Sequence, residues 1–314
     1  MTTGSRRSIV RRPAVLLLTA IAGLVIGLTI DVARGGGLET WLARHGLTVG
    51  YDPRGTVVDI GGRGIYLDCR GSGEPTVILE GGFGSGASGW GATLDGIAAF
   101  TRVCAWDRPG LGRSATRGVH SAGDTAADLR AALEATGERG PFVVVAHSFG
   151  GVYARVLADG PVIDGAPDTS SEGVLALVML DTYEPDIGVA DDLSLPADIR
   201  ASIEKSLVET ADMLQAGESL DWAATMEELR LGGPVEQRTV LLTVDPYLRY
   251  HDPDPARREA IVAAWHRGVA ARYPNGTLEI VPDTGHMIHL ERPNLVIERV
   301  RDIVLSARSI DSPG

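Results

Sequence analysis

Phe142-Val143-Val144-Val145-Ala146-His147-Ser148-Phe149-Gly150-Gly151 is the stretch that decides how this chain folds. Phe142–Ala146 is five apolar, mostly β-branched residues without alternation, which reads as a strand buried on both faces. Ala146 and Gly150 then flank Ser148 at minus two and plus two, and the glycine pair opens a helix over Gly150–Ala158. A serine hydroxyl is a weak nucleophile. It has to project from a tight strand-to-helix turn toward a base, and such a turn tolerates only small neighbours. The helix also aims its free N–H groups at the turn, where negative charge on a reacting oxygen would be stabilised. Ser148 is the candidate nucleophile.

Outward from this turn, strands alternate with helices, the pattern of an α/β domain. Val57–Ile60 and Ile65–Cys69 flank the glycine-rich turn Gly61–Gly64, and Thr76–Leu79 and Arg102–Trp106 follow. Beyond the serine come Val174–Leu180, Val240–Val244 and Leu278–Val281. Helical spacing marks Ala122–Ala135, Pro255–Arg272 and Pro293–Ala307. The core is expected over 56–181 and 236–309. The segment 182–235 is far longer than an ordinary connection and contains an amphipathic run at Ile199–Ala216. A small helical cap over the site is the economical reading, and a surface insertion is the plain alternative.

A base for Ser148 is offered by Gly285-His286, where a β-rich run ends in a polar loop and the glycine permits a sharp turn. Serine first and histidine near the C-terminus is the chain order that suits this arrangement. The other six histidines read as structural. His147 is expected to point away from the nucleophile, and His289 lies one turn beyond His286.

The formal charge is −12, even though Arg6, Arg7, Arg11 and Arg12 sit in the first twelve residues. So acidic a body argues against nucleic acid as the main partner. The chain shows neither a metal-ligand cluster nor a phosphate-cradling glycine loop, so no metal and no cofactor are expected. The N-terminus reads separately: a basic n-region at 1–12, an uncharged apolar run at 13–30, and a linker at 31–55. Eighteen helical residues reach about 27 Å, close to bilayer thickness. With no clean cleavage site after it, the run is expected to be a transmembrane anchor rather than a cleaved signal. The preceding arginines would keep the N-terminus inside and send the catalytic domain out.

Four motifs give the chain a resemblance to the α/β-hydrolase fold family, of the α/β hydrolase-1 type, across Val57–Ala307: Leu79-Glu80-Gly81-Gly82-Phe83, Trp106–Ser114, Ala146–Gly151 and Gly285-His286. The resemblance implies a mostly parallel eight-stranded sheet with helices on both faces. It also implies two backbone N–H groups forming an oxyanion hole. One is Phe149. The other is Phe83, with Gly82 its rival, because Glu80-Gly81-Gly82 stands where the family usually has His-Gly. The family's third member, an acid, usually follows the seventh strand, which implies Asp245. Some members take it from the end of the sixth, which implies Asp181, and Asp181 is favoured because Pro246-Tyr247-Leu248 stands where the later acid normally sits. In this family the second strand runs antiparallel beside the fourth, which brings Cys69 near Cys104. Two buried thiols and a disulfide both remain open, the thiols being the ordinary reading. The implied activity is hydrolysis of an ester-like bond in a small molecule through an acyl-enzyme. The alternatives are a C–C bond hydrolase, an aminopeptidase, a cofactor-free haloperoxidase or a non-catalytic binding protein.

Overall fold

The computed structural model describes residues 51–159, 162–163, 166–167, 173–185, 192–244 and 254–310. The basic n-region, the apolar run at 13–30 and the linker up to residue 50 lie outside the described residues. Among the described residues, no helix is long and apolar enough to cross a membrane.

The main sheet has eight strands: β1 Thr56–Asp59, β2 Gly64–Arg70, β3 Thr76–Glu80, β4 Val103–Trp106, β5 Phe142–His147, β6 Val174–Leu180, β7 Arg238–Thr243 and β8 Gly276–Ile280. Their spatial order is β1-β2-β4-β3-β5-β6-β7-β8. Only the β1–β2 and β2–β4 pairs are antiparallel, and all the others are parallel. The helices are α1 Gly91–Ala98, α2 Ala122–Ala135, α3 Gly150–Asp159, α4 Ala197–Glu218, α5 Trp222–Gly232, α6 Pro255–Arg272, α7 Ile288–Glu291 and α8 Pro293–Ile310.

Strand β5 is buried along its whole length, and the strand period of two divides its side chains between two cores. Val144 and Ala146 join residues of α2, α3 and α6. Val143 and Val145 join residues of α1 and α8 on the other face. Each such valine contributes about 1.5–3 kcal/mol on burial. Helix α2 begins with a capping box, in which Ser121 Oγ accepts from Asp124 N and Asp124 accepts from Ser121 N. Helices α4 and α5 occupy the long segment after β6, and the backbone joining them is tied to the core through His120, which donates to Ser219 O and accepts from Asp221 N.

Antiparallel register sets Cys69 directly opposite Cys104, and the two are joined as a disulfide rather than held as separate thiols. Closing a loop between residues 35 apart is worth about 2–4 kcal/mol. Alkylation without prior reduction is therefore expected to leave both cysteines unmodified, and Cys69→Ser/Cys104→Ser to lose about 2–4 kcal/mol in urea unfolding. Two alkylated thiols in the native protein would contradict the pairing.

Candidate active site

The parallel strands end at one edge, and the candidate residues follow directly from those ends. Ser148 comes immediately after β5 with φ 53°, a left-handed conformation that costs a non-glycine residue energy and is held by its surroundings. Ser148 N donates to Leu180 O at 3.0 Å, and Ser148 O accepts from Tyr183 N at 2.9 Å. The turn is thus fastened to the end of β6. A glycine is required at 150, because a Cβ there would collide with the carbonyls of Glu80 and Gly81.

Asp181 follows β6 with φ 46° and is buried. Its N–H donates to Leu242 O at 2.7 Å. Its Oδ1 accepts from Thr243 Oγ1 at 2.9 Å and from Val244 N at 3.3 Å. Its Oδ2 lies 2.6 Å from His286 Nδ1. A carboxylate oxygen accepts, so Nδ1 carries the proton and Nε2 keeps a lone pair. Ser148 Oγ lies 2.8 Å from that Nε2. Hydroxyl, imidazole and buried carboxylate thus form one continuous chain, the arrangement that can draw a proton from serine as it attacks. Asp245 lies outside the described residues.

Two further histidines lie close to this chain. His147 does not point away as expected: its Nε2 lies 2.9 Å from His286 O, and a carbonyl can only accept, so His147 donates and holds the backbone of the loop carrying His286. Sequence alone gave no signal of this, because the contact spans 139 positions. His289 is buried, its ring centroid 4.4 Å from that of His147 and 4.7 Å from that of Trp90. Burial first, then the neighbouring His286, pushes its pKa down to about 3.

The loop after β3 approaches the serine closely: a Cβ on Gly82 would lie 3.1 Å from Ser148 Cβ. Among the described residues, no protein acceptor takes the N–H of Gly82, Phe83 or Phe149. Those are the groups that could receive an oxyanion. One grouping of metal-ligating type occurs among the described residues, Cys69, Cys104 and Glu138. Its sulfurs are joined to each other and Glu138 is bonded to Arg102, so it offers no thiolate.

The chain belongs to the alpha/beta hydrolase family, whose model matches residues 77–299, well over half of its length. It is similar to YqjL of Bacillus subtilis, an uncharacterised protein, with 22% identity over 243 residues covering 76% of this chain and 87% of YqjL. It is also 25% identical over 262 residues to the dihydrolipoyllysine-residue acetyltransferase component of an acetoin-cleaving system in Cupriavidus necator. That match covers 75% of this chain but 65% of the relative. In a Schizosaccharomyces pombe protein, the match spans 12% of the length. Among solved structures, the chain resembles Lip1 of Acinetobacter baumannii AYE with a TM-score of 0.56 and 17% identity, covering 82% of this chain and 93% of that one. It resembles the carbazole-degradation serine hydrolase CarC with a TM-score of 0.51 and 19% identity, covering 81% and 98%. At these identities the structural likenesses establish the fold.

The depressed pKa of His289 has a consequence for stability. The folded protein keeps this ring neutral down to about pH 3, whereas the unfolded chain binds its proton near the ordinary histidine value of 6.5. Its stabilising contribution is complete above pH 6.5 and falls by about 1.4 kcal/mol per pH unit below it. Urea unfolding of wild type and His289→Gln at pH 7, 6 and 5 is expected to show the wild-type advantage shrinking with acid. A difference independent of pH would contradict the assignment.

Proposed function

We propose that this protein is a serine hydrolase that cleaves an ester-like bond of a small molecule through an acyl-enzyme on Ser148. The observation that supports this most is the unbroken chain from Ser148 Oγ through the His286 ring to Asp181, with contacts of 2.8 and 2.6 Å. In this reading His286 Nε2 takes the hydroxyl proton as Oγ attacks the carbonyl carbon. The carbonyl oxygen becomes an oxyanion between the N–H groups of Phe83 and Phe149. As the tetrahedral intermediate collapses, His286 returns the proton to the leaving alcohol. Water then attacks the acyl-enzyme with His286 again as base, releasing the acid and restoring Ser148. Asp181 stays ionised, fixing the tautomer and stabilising the imidazolium form.

In the same reading the domain works outside the cytoplasm, tethered by the apolar segment at 13–30 or exported if that segment is cleaved. The Cys69–Cys104 disulfide supports this, because such bonds persist mainly in oxidising compartments. So does the basic, then apolar, N-terminal sequence.

Ser148→Ala is expected to fold normally and to lower kcat on p-nitrophenyl acetate by at least ~10³-fold. More than a tenth of wild-type turnover in that variant would rule out the nucleophile.

The acid is tested separately. Asp181→Asn is expected to cost ~10³–10⁴ in kcat, since an amide lets the ring adopt the wrong tautomer. Asp245→Asn is expected to remain within about 3-fold of wild type, because Asp181 already supplies the imidazole with its carboxylate. The reverse ranking would move the acid to the loop after β7.

A further inference from the structure

Arg108 is buried beneath the loop that carries Phe83, and it faces two carboxylates from distant parts of the chain. Its Nη1 donates to Glu80 Oε1 at 2.6 Å. Its Nε and Nη2 donate to Glu218 Oε2 and Oε1 at 2.9 and 2.8 Å. All three side chains are at most 2% exposed. The same guanidinium also donates to Gly81 O and Gly82 O, at 2.6 and 2.7 Å. In a trans peptide the N–H points opposite to the C=O. Holding those two carbonyls therefore directs the N–H groups of Gly82 and Phe83 away from Arg108. These are the two rival oxyanion donors of this loop.

Glu218 comes from elsewhere: it is the last residue of α4, in the cap segment. Besides gripping Arg108, its Oε1 accepts from Gly84 N at 2.6 Å. Phe83 is therefore bracketed, its preceding carbonyl held by Arg108 and its following N–H held by Glu218. The Phe83 ring itself packs against Gly217, where any Cβ would overlap it. A buried ion pair is poor evidence of stabilisation, because desolvation offsets most of the attraction. A role in geometry accounts better for one cation shared between two carboxylates.

We propose that Glu80, Arg108 and Glu218 form a latch through which the docked cap sets the orientation of the oxyanion-loop N–H groups. Arg108 and Glu218 are then positioning residues. Their part in catalysis rests on the hydrolase reading above, whereas the coupling of cap to loop does not.

Glu218→Gln tests it. Glu80 keeps Arg108 paired in this variant, so a folded protein is expected. Full loss of an oxyanion donor costs 10²–10³ in kcat. A donor left in place but loosely held is expected to cost ~10–100-fold, with KM changed less than about 3-fold. Amide hydrogen exchange over 81–86 is expected to quicken at least ~10-fold. Glu218→Asp keeps the charge but falls short of Gly84, and the same kcat-without-KM loss is expected. Glu209→Gln, exposed on the same helix, is expected to change neither readout. Unchanged exchange over 81–86 in both Glu218 variants would overturn the latch. Faster exchange with kcat unchanged would overturn its positioning role. Absence of ester turnover in wild type would overturn the hydrolase reading instead, leaving the exchange result to decide the latch.

Discussion

Register between parallel strands is the constraint on which the candidate site depends. His147 pairs with Leu180 across β5 and β6, Leu180 with Leu242 across β6 and β7, and Thr243 with Ile280 across β7 and β8. Strands paired in this way run out of sheet together. Ser148 and Asp181 are each the first residue past such an end, and His286 reaches them from the loop after β8. A slip of one residue would turn the valines of β5 to the opposite core and move Ser148 off the turn. Packing of Val143 and Val145 against one helical layer, and Val144 and Ala146 against the other, thus fixes where the hydroxyl sits.

Burial then dictates what must surround the charges. A carboxylate such as Asp181 can be taken out of water only if donors replace its hydration. It receives them from Thr243, Val244 and His286. The contact that orients the imidazole is therefore also one that makes the buried acid tolerable. Glu80 illustrates the opposite balance. Burial pushes its carboxyl up to about 7 despite Arg108, while the same arginine and the bonds from Gly84 and Tyr153 more than offset burial at Glu218, whose pKa is lowered.

Much of this arrangement was legible in the sequence because its signals are local. The apolar run before Ser148, the small residues around it and Gly285 before His286 each report on their own few residues. Asp181 carries no such local mark, and its preference over Asp245 rests on the family resemblance. What the sequence did not reveal depends on long-range contact. Arg108 sits in a recognisable loop, yet Glu218 is 110 residues away and nothing near it marks a buried acid. His147 neighbours the serine but acts on the backbone of His286. Helix α1 follows a glycine-rich stretch that hides its apolar residues Leu94 and Ile97. For Cys69 and Cys104 the sequence allows thiols or a disulfide, and the register of β2 against β4 is what closes the choice.

Covalent capture tests most directly whether Ser148 is an activated nucleophile. A fluorophosphonate incubated with the native protein should phosphonylate one serine, since only a hydroxyl with a base beside it attacks at a useful rate. Peptide mapping by mass spectrometry is expected to place the adduct on Ser148 and to find none in Ser148→Ala. An unlabelled protein, or an adduct on a different serine, would contradict the account.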